Sequence, residues 1–292
     1  MVQQRQKAPK ETTPSRRTRA SKGDESAAIG SLSRGMQVVD VLTSAQGLLT
    51  LSEIAALTNL DSSTTLRLLH TLIELGYAVR DDATKRYLAG PRALSPLSLF
   101  HPLTVFRREA EQVLISLQQS TRETCALILF LGKERLVVDF VRGRQPLSPY
   151  YETWLKSPLH GSASGKLLLA WLSDEERLQL LGPGPYAAHT AHTVTDATVF
   201  YERLEEIRDQ GYAVARDDAY RNLIAIGVPL IMPGYSQPLG CLVATSTSNL
   251  LPEEAEADIV ASLKAGAKLL IGSAPSLQNL RHWTPRNMPR KA

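Results

Sequence analysis

Two stretches of this sequence hold residue types that could act on another molecule. Ser62-Ser-Thr-Thr-Leu-Arg67 crowds four hydroxyls and a guanidinium into six residues. Short hydroxyls donate to phosphate oxygens and let a backbone come close, and arginine forks onto guanine or phosphate. His160-Gly-Ser-Ala-Ser-Gly-Lys166 is a run of small residues ending in a cation. It is not a phosphate-binding P-loop, which needs four residues between its glycines and Ser or Thr after the Lys. Here three residues separate Gly161 from Gly165, and Leu167 follows Lys166. Nor is it a nucleophile elbow, because Ala163 stands at the central position. What remains is a loop that opens a helix, whose free N–H groups favour an anion. The alternative is a loop packed closely on a sheet.

Other reactive residues form no constellation. His189-Thr-Ala-His192 could pair on a metal, but no Cys or carboxylate cluster flanks it, so no metal and no cofactor are expected. Cys125 and Cys241 sit in apolar runs and read as buried thiols. No nucleophile–base set can be placed in residues 104–272, so catalysis is not expected. An enzyme with an appended reader domain is the rival from another class, and a protein-interaction module is a second.

The elements that would position these groups fall into two segments. Residues 31–93 read as three helices and a hairpin. The first is Ser33–Ala45, with Met36, Val39 and Leu42 at helical spacing. Ser52 is expected to cap a second helix that Asn59 closes. The third starts at Ser62 and ends at Gly76, with Leu68, Leu69, Leu72 and Leu75 inward and Arg67, His70 or Thr71, and Glu74 outward. Lys85 and Arg86 lie in the turn of the hairpin. Two short helices with a tight connection, followed by a hairpin, form a winged helix-turn-helix, whose second helix enters the major groove. Gly90-Pro91, Ser95-Pro96 and His101-Pro102 mark a break, with a helical linker spanning about 91–118. Residues 104–272 then alternate helix and strand around an antiparallel core. The fold class is α+β.

The chain has 292 residues and a net charge of +4. Seven Lys/Arg and one acid fall in residues 1–22, and four Lys/Arg and no acid in 273–292. The stretch between them carries 22 bases and 28 acids. Residues 1–28 and 273–292 are expected to be disordered tails, the first either a phosphate-contacting arm or a solubilising tail. Residues 31–93 balance six Lys/Arg against six acids, so charge alone does not mark a DNA reader. No run reaches the roughly 18 apolar residues of a membrane span. The first residues lack an apolar secretory stretch, and the expectation is a cytoplasmic protein with no membrane partner.

SLSRGMQVVDVL, LTLSEIAALTNLDSSTTLRLLHTLIELGYAVRD and KRYLAGPRAL resemble the winged-helix domain of the IclR family of bacterial transcription regulators. SPLHGSASGKLLLAWLS, IRDQGYAVARDD, AIGVPL and LGCLVATST are similar to the same family's GAF-like effector domain. The resemblance covers residues 31–272. It implies a ligand-responsive regulator, repressor or activator, that binds double-stranded operator DNA and a small-molecule effector and forms homodimers that often pair into tetramers. DNA contacts are expected from Arg34, Ser52, Ser62, Ser63, Thr64, Thr65, Arg67, His70, Lys85 and Arg86. Effector contacts are expected from Ser162, Ala163, Ser164, Ala215, Asp217, Ala225, Val243 and Thr245, with Asp217 or Asp218 replacing lost polar anchors. Ala215, Ala225 and Val243 stand where relatives often carry polar groups. The effector is therefore expected to be a small organic acid of larger or more apolar kind, an aromatic carboxylate among them. Trp154 and Tyr150 or Tyr151 either line the pocket mouth or pack at a dimer surface.

Overall fold

The computed structural model describes residues 22–94, 101–144 and 157–280. The chain divides into two compact units at about residue 97. Tyr150, Tyr151 and Trp154 lie outside the described residues, as do most of both expected tails.

The first unit holds helices α1 (Lys22–Ser44), α2 (Leu51–Thr58) and α3 (Ser62–Glu74), strands β1 (Ala78–Arg80) and β2 (Tyr87–Ala89), and a short helix α4 (Pro91–Leu94). Helix α1 begins well before Ser33, inside the stretch expected to be a tail. Its buried face is Val38, Val39 and Leu42, whereas Met36 is half exposed. These pack on Ile54, Leu69, Leu72, Ala78 and Tyr87 in one small core. Leu75, expected inward, is exposed, because α3 ends there and the chain turns away at Gly76.

The caps differ from the expected ones by a residue or two. Thr50, not Ser52, caps α2: its hydroxyl accepts from the Glu53 N–H at 3.2 Å, and the Glu53 carboxylate accepts from the Thr50 N–H at 2.7 Å. Thr-x-x-Glu is the capping-box signature, so the signal was present in the sequence. Asp61 caps α3, accepting from the Thr64 N–H at 2.8 Å, and Ser62 is the first helical residue. Asn59 closes α2 in the left-handed conformation, as expected. Leu49 bridges to Tyr87 and adds a third, minimal strand to the wing.

The second unit is a five-stranded antiparallel sheet with helices on both faces. Its elements are α5 (Pro102–Thr121), β3 (Thr124–Leu131), β4 (Glu134–Val141), α6 (Ala163–Ala170), α7 (Asp174–Leu181), α8 (Ala197–Gln210), β5 (Ala213–Arg216), β6 (Ile224–Leu230), β7 (Gly240–Ser246), α9 (Glu256–Ser273) and α10 (Pro275–Leu280). The strand order is β4-β3-β7-β6-β5. Alternation along the strands sorts the side chains into two cores. Cys125, Leu127, Leu129, Ile226, Val228, Leu242 and Ala244 pack against α5, α9 and α10. Ile128, Phe130, Ala213, Ala215, Cys241 and Val243 face α6 and α8. The expected C-terminal tail is thus corrected in part: Pro275–Leu280 is a helix that buries Leu277 and Leu280 against the first core. The Ser276 hydroxyl donates to Glu109 of α5.

Candidate functional site

Helix α3 presents one polar face outward. Thr65, Leu69 and Leu72 are buried, and Ser63, Arg67, His70 and Glu74 lie on the opposite, exposed side. The four hydroxyls at its start are not equivalent. Ser62 is exposed. The Ser63 hydroxyl donates to the Asp61 carboxylate at 2.6 Å. Thr64 is half-buried, and Thr65 is fully buried with its hydroxyl donating to the Asp61 carbonyl at 2.9 Å. Thr65 is therefore removed from the expected contact set: its side chain is buried and bonds back to the capping residue Asp61. Hydrogen bonds from Ser63 and from Thr64 hold the Asp61 carboxyl well below the usual carboxylate range. Arg67 makes no ion pair among the described residues.

The other expected contacts are exposed at separate places in the unit: Arg34 on α1, Ser52 in the first turn of α2, and Lys85 and Arg86 in the β1–β2 turn. Lys85 takes a left-handed φ of 59°. Arg86 donates to the Leu48 carbonyl at 3.3 Å, which ties the wing to the α1–α2 connection.

In the second unit a cavity opens between the start of α6 and the sheet, with about 510 Å³ of empty space including its mouth. Ser162, Ala163, Ser164, Ala215, Ala225, Val243 and Thr245 all line it. The register explains this convergence. Ala215 pairs with Ala225, and Ala225 with Thr245, in one row across β5, β6 and β7. Two paired alanines, on the edge strand β5 and its neighbour β6, leave space under α6 that larger side chains would fill. Gly227 sets how close α6 can lie to the sheet, and Gly165 how closely the preceding loop folds onto α6. A Cβ on Gly165 would stand 2.1 Å from the Leu159 carbonyl oxygen, and one on Gly227 would stand 2.9 Å from Leu167. The small-residue loop thus serves both alternatives at once: its glycines pack, and its Ser-Ala-Ser segment faces the cavity.

Asp217 is corrected. It has a left-handed φ of 59°, and its carboxylate accepts from the Leu223 N–H and the Ser248 hydroxyl, away from the cavity. The neighbouring Asp218 lines the cavity instead. It pairs with the Lys166 ammonium, which also donates to the Val214 carbonyl at 3.0 Å. Both groups are largely buried. Burial pushes the Lys166 pKa down and the Asp218 pKa up, and the mutual attraction opposes both shifts.

Sequence reasoning missed Ile128, Ser157, Gly161, Ala219, Tyr220 and Leu223, which also line the cavity. It also missed Arg135 on β4. This guanidinium donates to the hydroxyls of Ser162 at 2.6 Å, Ser164 at 3.0 Å and Ser157 at 3.4 Å, and to the Ser157 carbonyl. Nothing in the local pattern of Glu134–Val141 marks it, because the contact spans 22 to 29 residues of chain.

His160 sits under the loop, its Nε2 2.9 Å from the Ala187 carbonyl oxygen, among Tyr186, His189 and Phe200. Burial pushes its pKa down. His192 is exposed, its N–H bonded to Thr190. Among the described residues no three His, Cys, Asp or Glu side chains gather into a metal site.

Known proteins match both units. The profile described as bacterial transcriptional regulator IclR C-terminal matches residues 103–270, and that of the IclR helix-turn-helix domain matches 31–82. The probable transcriptional regulator SauR of Cupriavidus necator is 30% identical over 200 residues, covering 68% of this chain and 79% of SauR. The Pca regulon regulatory protein of Pseudomonas putida is 26% identical over 258 residues, 88% of this chain and 87% of its own. The crystal structure of the Thermotoga maritima IclR superimposes with a TM-score of 0.62 at 25% identity, covering 84% of this chain and 98% of that one. An IclR homologue from Microbacterium hydrocarbonoxydans, crystallised with 4-hydroxybenzoate, shares the fold with a TM-score of 0.69 at 23% identity, covering 85% and 99%. With both profiles matched in chain order and a relative at this identity over most of its length, the chain belongs to the IclR family of ligand-responsive, DNA-binding transcription regulators.

Proposed function

We propose that α3 reads the major groove of an operator through Ser62, Ser63, Thr64, Arg67 and His70. Lys85 and Arg86 of the wing, with Arg34 and Ser52, hold backbone phosphates. The observation that carries this reading is the exposed Ser63-Arg67-His70 face on a helix whose start is fixed by the Asp61 cap. Two such readers, one from each protomer of a homodimer, suit half-sites about one helical turn apart. An exposed apolar strip of Leu32 and Met36 on α1 and Leu75 after α3 supports self-association.

The effector of this chain is a small organic acid with an apolar body, an aromatic carboxylate by preference. Ala215, Ala225, Val243, Ile128 and Leu223 supply an apolar wall, and Ser162, Ser164 and Thr245 a few hydroxyls. A fold-mate crystallised with 4-hydroxybenzoate supports the same class. Thermal-shift titration against aromatic and short aliphatic carboxylates tests it. Larger shifts with the aromatic acids are expected, and a preference for short polar acids would overturn the apolar-pocket reading.

A further inference from the structure

Beside the cavity of the second unit stands a part-buried charge that has no carboxylate partner among the described residues. Arg135, Lys166 and Asp218 stand at or beside it, with Glu134 in electrostatic reach of Arg135 and Arg203 in reach of the other two. Lys166 and Asp218 neutralise each other as an ion pair. Arg135 has no carboxylate partner among the described residues. Its bonds run to three serine hydroxyls and one carbonyl, all neutral. A guanidinium stays protonated in a protein, so its positive charge stands beside the cavity with no hydrogen-bonded counter-ion among the described residues. A part-buried charge held by neutral acceptors is the arrangement that a bound anion would complete.

The hydroxyls give that charge a direction. Arg135 Nη1 can only donate, so Ser162 and Ser164 receive its hydrogen bonds on their oxygens. Ser162 spends its own proton on the Pro158 carbonyl at 2.8 Å and also caps Gly165 of α6. Ser164 is buried, lines the cavity, and donates to no acceptor among the described residues. Its O–H is left over, polarised by the guanidinium behind it, at the first turn of α6, where backbone N–H groups are also unspent.

We propose that Arg135 is the specificity-determining charge of the effector site: acting through the Ser164 hydroxyl, it selects a ligand with a single negative charge, a monocarboxylate, over neutral molecules of the same shape. This rests on the effector reading above and adds the residue that enforces it. Arg135 itself stands behind the serines and positions them, so its role is separable from direct contact.

The test is calorimetric titration of the full-length protein with benzoate and with benzamide, which share a shape and differ in charge. Wild type is expected to prefer benzoate. Arg135→Met should cut the benzoate-to-benzamide affinity ratio by about tenfold or more, and Arg135→Lys should restore most of it. Ser164→Ala should weaken benzoate several-fold and leave benzamide nearly unchanged. Melting curves report whether each variant folds, and the ratio is read on folded protein. If Arg135→Met is folded and keeps the wild-type ratio, or if wild type binds both probes equally, the proposal is overturned while the sensor reading stands. If Arg135→Met does not fold, Ser164→Ala decides: an unchanged benzoate-to-benzamide ratio in that variant overturns the proposal. Failure of wild type to bind either probe or any acid of an aliphatic and aromatic panel would remove the effector reading and this proposal together.

Discussion

Neighbouring hydroxyls on α3 do different work, and substitutions should separate them. Thr65 is buried, and its hydroxyl donates to the Asp61 carbonyl, which also accepts the Thr65 N–H at 3.0 Å, so Thr65→Val removes one of the two bonds to that oxygen. We expect a loss of about 1 kcal/mol in stability, measured by denaturant unfolding, with the ranking of operator sequences unchanged. Arg67 is exposed and unpaired among the described residues, so Arg67→Ala should melt with the wild type. It should lose about tenfold or more in affinity for its operator, read by fluorescence anisotropy. Equal binding by Arg67→Ala would remove α3 as the reading helix. The spacing of Ser62 to Arg67 was enough to nominate this face. Read as one face, it did not rank the hydroxyls, although Thr65 stands at helical spacing with Leu69 and Leu72 on the buried stripe of α3.

The cavity is a property of elements rather than of single side chains. Alanines at 215 and 225 stand in one row of the sheet, and Gly227 lets α6 lie close above it. A bulky residue at Ala225 should therefore fill the space: Ala225→Phe is expected to abolish the thermal shift produced by aromatic acids while the protein stays folded. An undiminished shift would place the ligand elsewhere. Seven of the eight residues named from sequence meet at this cavity because strand alternation fixes which positions share a face. Asp217 was misassigned because its left-handed φ turns the chain at the end of β5, and so Asp218 takes the inward position. Arg135 was missed because β4 meets the α6 loop only in the folded unit.

The same elements carry a pH dependence. His160 is packed among Tyr186, His189 and Phe200, with Lys166 and Asp218 nearby, and burial holds its pKa below the ordinary 6.5. On acidification the unfolded chain takes up this proton first. Stability is therefore lost as pH falls from about 6.5 towards the lowered folded value. His160→Gln, which keeps a polar partner for the Ala187 carbonyl, should shrink the difference in melting temperature between about pH 7.5 and about pH 5.5. An equal difference in wild type and variant would show that other groups carry it.

Each unit has its own core, and charge is distributed unevenly along the chain. The reader unit is balanced, while residues 1–21 carry six Lys/Arg and one acid. Operator binding should therefore draw part of its salt dependence from that basic stretch. Removing residues 1–21 is expected to flatten the plot of log K against log salt by about one unit or more, with sequence preference retained. The most direct test of the whole account is anisotropy titration of the full-length protein on duplex DNA from upstream of its own gene, with and without an aromatic carboxylate. The account predicts salt-sensitive, sequence-preferring binding at about 10⁻⁸ M or tighter. Its midpoint should move when the acid is added to wild type and stay put in Ala225→Phe. Binding without sequence preference, or a midpoint indifferent to every acid tried, would contradict it.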